Sequence, residues 1–193
     1  SLLFSSFSQS FWVLDEDRPC IYHRYGGAEP LDAPWKTIDL SSYIGSGSGL
    51  GIGVASPEDD LLAMTTDDGS EGLVYFPAQD KVLSTGPMRT VGSTNEPMIM
   101  PYIDAYSKHV IFADVTGNVA LFDLVNGNGK PERFRVNFSP RFVRTGWLES
   151  TWILAGDKGI MFQSFKDPSD RKIVRFVPEV MNMWVTGDSK TAL

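Results

Sequence analysis

The chain holds one cysteine and two histidines among 193 residues, so a nucleophile–base pair or a zinc site has little raw material. Cys20 and His23 stand three apart, a spacing that could hint at a shared metal ion. On a strand that odd interval sends the two side chains to opposite faces, and they cannot meet one ion without a bulge. His109 follows Lys108 at the start of an apolar run and has no partner evident in the sequence. The run Asp67-Asp68-Gly69-Ser70-Glu71 is dense enough in carboxylates to suggest calcium, but a hard-cation loop needs about six oxygens on a fixed spacing that this run does not match. Aspartate and glycine there suit a hairpin bend instead. From Gly45 to Gly53 glycine occupies every second position, which is neither a dinucleotide fingerprint nor a phosphate-binding loop. It reads as a flexible connector. No metal or cofactor is implied, and an enzyme would have to assemble groups such as Asp104, Glu149 and Tyr102 from separate parts of the chain; a noncatalytic protein is expected.

Two charged patterns point to binding rather than catalysis. Acidic residues recur in the short turns between apolar segments: Asp15, Glu16 and Asp17; Asp67, Asp68 and Glu71; Asp114; Asp157. If those turns emerge on one rim, they form an anionic surface able to capture a basic peptide; the other reading is that they form the turns and solvent screens their charge. The second pattern is the segment Arg133 to Arg144, in which alternation places Arg133 and Arg135 on one strand face and Phe134 and Val136 on the other. With Arg141 and Arg144 this makes a candidate anion-binding strip, or else an edge strand whose charges block sheet-to-sheet aggregation. The candidate partner-binding residues are therefore Arg133, Arg135, Arg141, Arg144, Asp15, Asp17, Asp68, Asp114 and Asp157.

The elements that must position these residues show as an internal repeat. Four pairs of apolar segments, each pair joined by an acidic or glycine-bearing turn, recur at residues 11–25, 61–77, 110–124 and 152–165. Aromatic and β-branched residues dominate both arms, as in a β-hairpin. Each hairpin is flanked by two further strand-like runs: upstream 2–7, 50–55, 98–103 and 142–147, downstream 35–40, 81–85, 133–138 and 172–177. Gly45–Gly49, Gly92–Pro97 and Ser139-Pro140 punctuate the units. Helical pattern is confined to 57–64, better read as a tight strand connection, and to 178–184. Repeated four-stranded units without crossover helices imply antiparallel sheets packed radially, each hiding its apolar faces on the next. The expected fold is an all-β propeller of four four-stranded antiparallel blades, at about 1–44, 50–92, 97–138 and 141–177, in a single domain over 1–177 with a C-terminal tail over 178–193. The blades either close as a four-bladed ring or form part of a larger propeller. Trp147 and Trp152 are expected to fill gaps between blades.

The second and third units resemble WD40-like blades. Ser56-Pro57-Glu58-Asp59-Asp60-Leu61-Leu62-Ala63 is similar to the family's Ser-Pro-Asp-Gly turn leading into a second strand. Gly117-Asn118-Val119-Ala120-Leu121-Phe122-Asp123-Leu124 is similar to its third strand, with Phe-Asp where Trp-Asp is usual. The family's Gly-His and Trp-Asp dipeptides do not occur. The resemblance implies a diverged WD40-like propeller, a fold that serves as an interaction scaffold. Hemopexin-like domains also have four blades, but their blade motifs and bracketing cysteine pair are missing here.

Charge and composition bound the partners. Residues 1–97 carry five Lys/Arg against fourteen Asp/Glu, and residues 98–193 carry twelve against ten, for a net charge of −7. A net-negative chain repels phosphate backbones, so nucleic acid is disfavoured as the main ligand. No apolar stretch reaches the ~18 residues of a membrane span. A single cysteine fits a reducing compartment, and an intracellular location, cytoplasmic or nuclear, is expected. The first residues lack a methionine and the basic segment of a signal peptide, as an excised or processed chain would. The function expected is that of a protein–protein interaction scaffold binding a peptide or partner subunit, or further propeller blades. A carbohydrate-binding propeller, lectin-like or hemopexin-like, is the alternative, although no stacking aromatic with an Arg/Glu pair recurs from unit to unit.

Overall fold

A computed structural model describes residues 1–26, 32–44, 48–58, 60–88, 101–145, 151–167 and 169–175. Within them the chain is all-β: sixteen strands in four antiparallel sheets of four, each sheet a meander whose strand order follows the sequence. We name the sheets blades 1 to 4. Blade 1 holds β1 (Leu2–Ser5), β2 (Ser10–Leu14), β3 (Cys20–Tyr25) and β4 (Lys36–Asp39). Blade 2 holds β5 (Leu50–Ala55), β6 (Leu62–Thr66), β7 (Gly72–Phe76) and β8 (Lys81–Ser84). Blade 3 holds β9 (Tyr102–Ile103), β10 (His109–Ala113), β11 (Asn118–Asp123) and β12 (Glu132–Arg135). Blade 4 holds β13 (Ser139–Thr145), β14 (Thr151–Asp157), β15 (Gly159–Ser164) and β16 (Arg171–Arg175). One turn of 3-10 helix, Pro77–Gln79, joins β7 to β8.

The four sheets are consistent with propeller-like blades because both faces of the interior ones are apolar and covered. Alternate residues of each strand point to opposite faces. Trp12, Leu14 and Ile21 of blade 1 pack on Leu62, Met64, Leu73 and Tyr75 of blade 2. On the opposite face of blade 2, Ala63 and Val74 meet Val110, Phe112, Ala120 and Phe122 of blade 3. Blade 3 then turns Ile111, Ala113, Val119 and Leu121 towards Val143, Trp152, Leu154 and Met161 of blade 4. Trp152 fills the gap between blades 3 and 4 and Trp12 fills that between blades 1 and 2, each almost wholly buried. Trp147 lies outside the described residues.

Close approach between blades explains two of the glycines. A Cβ on Gly72 would lie 2.4 Å from a ring carbon of Phe112, and one on Gly159 would lie 2.5 Å from a ring carbon of Phe138. A bare backbone at each site lets the neighbouring ring approach the strand this closely.

The observed elements correct three readings. Ser139-Pro140, read as punctuation, begins β13, with a register shift between Pro140 and Phe142 that leaves Arg141 out of the ladder. The second half of the glycine run, Gly51 and Gly53, is strand rather than connector; Gly53 sits against Leu14 of blade 1. The run 133–138 is strand only to Arg135, after which Val136 and Phe138 are buried in the passage to blade 4. The expected tail at 178–193 and the linker at 92–97 lie outside the described residues.

Candidate binding rim

The turns that join the second and third strand of each blade lie along one rim, tied there by the connections between blades. The backbone N–H of Leu50, at the start of blade 2, donates to the carbonyl of Asp15 in the blade 1 turn at 2.6 Å. Met88 N–H donates to the Ser70 carbonyl in the blade 2 turn, and the Asn118 amide of blade 3 reaches the Met88 carbonyl at 3.2 Å. Val136 N–H, leaving blade 3, donates to the Gly117 carbonyl in that blade's own turn. The turns of blades 1, 2 and 3 are therefore each held by the chain that passes over them.

Within the turns the aspartates accept hydrogen bonds two residues on, the local bond that shapes an Asx turn. Asp15 accepts from Asp17 N–H at 3.0 Å, Asp68 from Ser70 N–H at 2.9 Å and Asp114 from Thr116 N–H at 2.9 Å. Asp15 also accepts from Arg18 and Tyr22, and Arg18 donates to the Tyr22 hydroxyl. The Asp17 N–H first, with Tyr22 and Arg18 after it, holds the Asp15 carboxyl below the usual carboxylate value against the opposing effect of burial. Asp68 accepts the Thr66 hydroxyl at 2.7 Å. Asp114 is buried and accepts four bonds, from Thr116 N–H and hydroxyl and from the backbone and side-chain amides of Asn118. Asp157 is paired with Arg141, whose Nε lies 2.9 Å from one carboxylate oxygen.

This distribution makes the rim polar along its length. Glu16, Asp17, Asp67 and Asp68 are exposed on the turns of blades 1 and 2. On blades 3 and 4 the turn carboxylates are buried or neutralised, and the exposed charges outside the Arg141–Asp157 pair are Arg135 and Lys158. A cavity of about 540 Å³ opens on that basic half, lined by Thr116, Arg135, Asn137 and Ser139 among others.

The four arginines occupy different layers. Arg133 and Arg135 lie on β12, the outermost strand of blade 3. Arg133 donates to the Pro87 carbonyl at the exit of blade 2. Arg141 and Arg144 lie on β13, at the opposite edge of blade 4. Arg144 donates to the carbonyl of Val143 at 2.7 Å.

His109 does have a partner, one that sequence spacing did not disclose. Its Nδ1 lies 2.6 Å from an oxygen of Asp104, a fully buried carboxylate that also accepts the Lys108 N–H at 2.6 Å. The imidazole stacks on Phe165 of blade 4, centroids 3.8 Å apart. Asp104 precedes a tight turn and His109 follows it, so residues five apart in sequence become a cross-strand pair; two polar residues bracketing Ala105-Tyr106-Ser107-Lys108 were the available signal. Tyr102 bonds Thr145 of blade 4 at 2.8 Å, and Glu149 lies outside the described residues. Cys20 and His23 take opposite faces of β3: His23 is buried and stacks on Trp12 at 3.8 Å, whereas Cys20 is half-buried, its thiol pushed up by burial and then by Asp39. Among the described residues, no group of three or more His, Cys, Asp or Glu side chains is placed to hold a metal ion, and no helix is long and apolar enough to cross a membrane.

No protein-family model matches the sequence, and no curated protein matches it.

Proposed function

We propose that the chain is a noncatalytic interaction scaffold, a diverged WD40-like β-propeller or a part of one, whose rim of central turns binds a basic peptide segment of another protein. The carrying observation is the set of exposed carboxylates Glu16, Asp17, Asp67 and Asp68 on two adjacent turns whose backbones are fixed by the chain passing over them. Rigid turns hold their charges in place before a ligand arrives, so little ordering cost falls on binding. The WD40-like reading is supported by Ser56, which follows the first strand of blade 2 and bonds the hydroxyl of Ser107 in the corresponding turn of blade 3, and by Phe122-Asp123, which closes the third strand of blade 3.

Titration calorimetry with lysine- and arginine-rich peptides, against acidic peptides of equal length, tests the reading. Basic peptides should bind, with affinity that falls as salt rises. The combined variant Glu16→Gln, Asp17→Asn, Asp67→Asn should weaken binding about tenfold or more, since each lost charge contact is worth roughly 0.5–1 kcal/mol. Absence of heat with every peptide would remove the proposal.

A further inference from the structure

The cavity on the basic half of the rim is built by two stretches of chain, the blade 3 turn at Thr116 and the passage from β12 to β13 over Arg135 to Ser139. Its volume of about 540 Å³ falls within the roughly 300–1,000 Å³ of small-ligand sites. Val136 and Phe138, both buried, give it an apolar wall. Thr116 already donates its hydroxyl to Asp114 and accepts from the Asn118 amide, so it has no proton left to offer a ligand. Arg135, Asn137 and Ser139 differ: among the described residues none of their side chains has a hydrogen-bond or ion-pair partner. Three donor-bearing side chains thus line one cavity with nothing to donate to. Positive charge is also uncompensated there. Asp114 is buried beneath four donors and Asp157 is paired with Arg141. Lys158 is exposed on the blade 4 turn, and the next residue, Gly159, packs so closely on the Phe138 ring that a Cβ would lie 2.5 Å from it. Lys158 therefore stands beside the Phe138 wall.

We propose that this cavity binds a phosphate monoester on a small organic body, with Arg135 as the principal contact. A guanidinium donates in a planar fork that matches phosphate oxygens, and the Asn137 amide and Ser139 hydroxyl supply the further donors. A phosphate monoester carries roughly 1.5–2 negative charges and three acceptor oxygens, which suits two cations and three donor side chains. A carboxylate brings one charge and two oxygens, and would leave part of that set unused. The organic body rests on Val136 and Phe138. A free phosphorylated small molecule and a phosphorylated side chain of another protein share this chemistry, and the site reads what they share. It lies on blades 3 and 4, whereas Glu16, Asp17, Asp67 and Asp68 lie on blades 1 and 2, so it stands without the basic-peptide reading.

Titration calorimetry in a phosphate-free buffer tests this with two probes, free phosphoserine and an otherwise uncharged peptide carrying one phosphoserine. Serine and aspartate versions of each are the controls. Binding of a phosphorylated probe, weakening as salt rises, is the expected result. Binding of free phosphoserine assigns a small-molecule source, and binding of the peptide alone assigns a protein source. Arg135→Gln should weaken binding about tenfold or more, as loss of a charge-assisted bond does, and Asn137→Ala or Ser139→Ala roughly two- to tenfold. Arg135 and Asn137 are exposed, so circular dichroism should stay unchanged in their variants. The combined variant Glu16→Gln, Asp17→Asn, Asp67→Asn should keep phosphate binding, which separates failure here from failure of the basic-peptide reading. Absence of binding by both phosphorylated probes at millimolar concentration would overturn the proposal. So would aspartate probes that bind equally well, or phosphate binding that Arg135→Gln leaves unchanged.

Discussion

His109 Nδ1 sits 2.6 Å from the Asp104 carboxylate at the interface between blades 3 and 4, with the Phe165 ring closing over the imidazole. A buried carboxylate depends on its few donors: removing one leaves charge without solvent or partner. His109→Phe keeps an aromatic ring against Phe165 but leaves Asp104, among the described residues, with the Lys108 N–H. It should lower stability by about 2–4 kcal/mol, read as a shift of the urea midpoint. Asp104→Asn in the His109→Phe background should recover part of the loss, since the uncompensated charge is then gone.

Gly72 and Phe112 make a second coupled pair. Gly72→Ala drives a methyl group into the Phe112 ring and should cost about 1–3 kcal/mol as an overpacking change. Phe112→Leu alone opens space in the cluster between blades 2 and 3. Combined, the two losses should be less than additive, and a double-mutant cycle in urea would read that coupling directly.

Asp114 holds its turn by four accepted bonds. Asp114→Ala strands those donors and should cost about 2–3 kcal/mol. Asp114→Asn should also destabilise, because its own amide faces the Asn118 amide and two donors cannot pair. The corresponding change at the exposed Asp68 should cost less than either, measured by thermal unfolding.

The pH dependence has two ends. Burial first, then Asp80, pushes the Tyr75 phenol from 10.0 up to about 12, so the folded state keeps a proton that the unfolded chain releases. Stability should be intact below about pH 10 and decline as pH rises towards 12, and Tyr75→Phe should flatten that decline. At the acid end, Ser41 holds the Asp39 carboxyl low and Ser169 holds Asp167 low. Asp123 is also lowered, because Asn126 and Val125 outweigh the opposing effect of burial. Stability from these groups is present above about pH 4 and is lost as pH falls through their lowered folded values. Chemical denaturation at a series of pH values would trace both ends.

Local pattern carried most of the strands because each hairpin arm is a short apolar run bounded by residues that favour turns. Leu50–Ala55 was legible to its ends, and the remaining strands of blades 1 and 2 to within one or two residues. Blade 3 shows where pattern weakens: β9 is only Tyr102–Ile103, too short to alternate. At β13 the bulge at Arg141 hides a strand beginning behind a proline. The turn acids were visible as a series. Their fates were not, because whether a carboxylate is buried like Asp114, ion-paired like Asp157 or exposed like Asp67 depends on which connection crosses it. Contacts between blades were the least legible. Arg171 stacks on Phe134 at 3.7 Å and pairs with Glu132 across 39 positions of sequence, which no periodicity announces.

The three large apolar clusters each draw on two neighbouring blades. Among the described residues cohesion is thus passed from one sheet to the next, as along a short row of links. Blades 2 and 3 are clasped on both sides and should guard their amide protons longest in hydrogen exchange, while β1 and β16 loosen first. An insertion at one end of the row should leave the far end almost untouched, and a lesion in the middle should cut it in two.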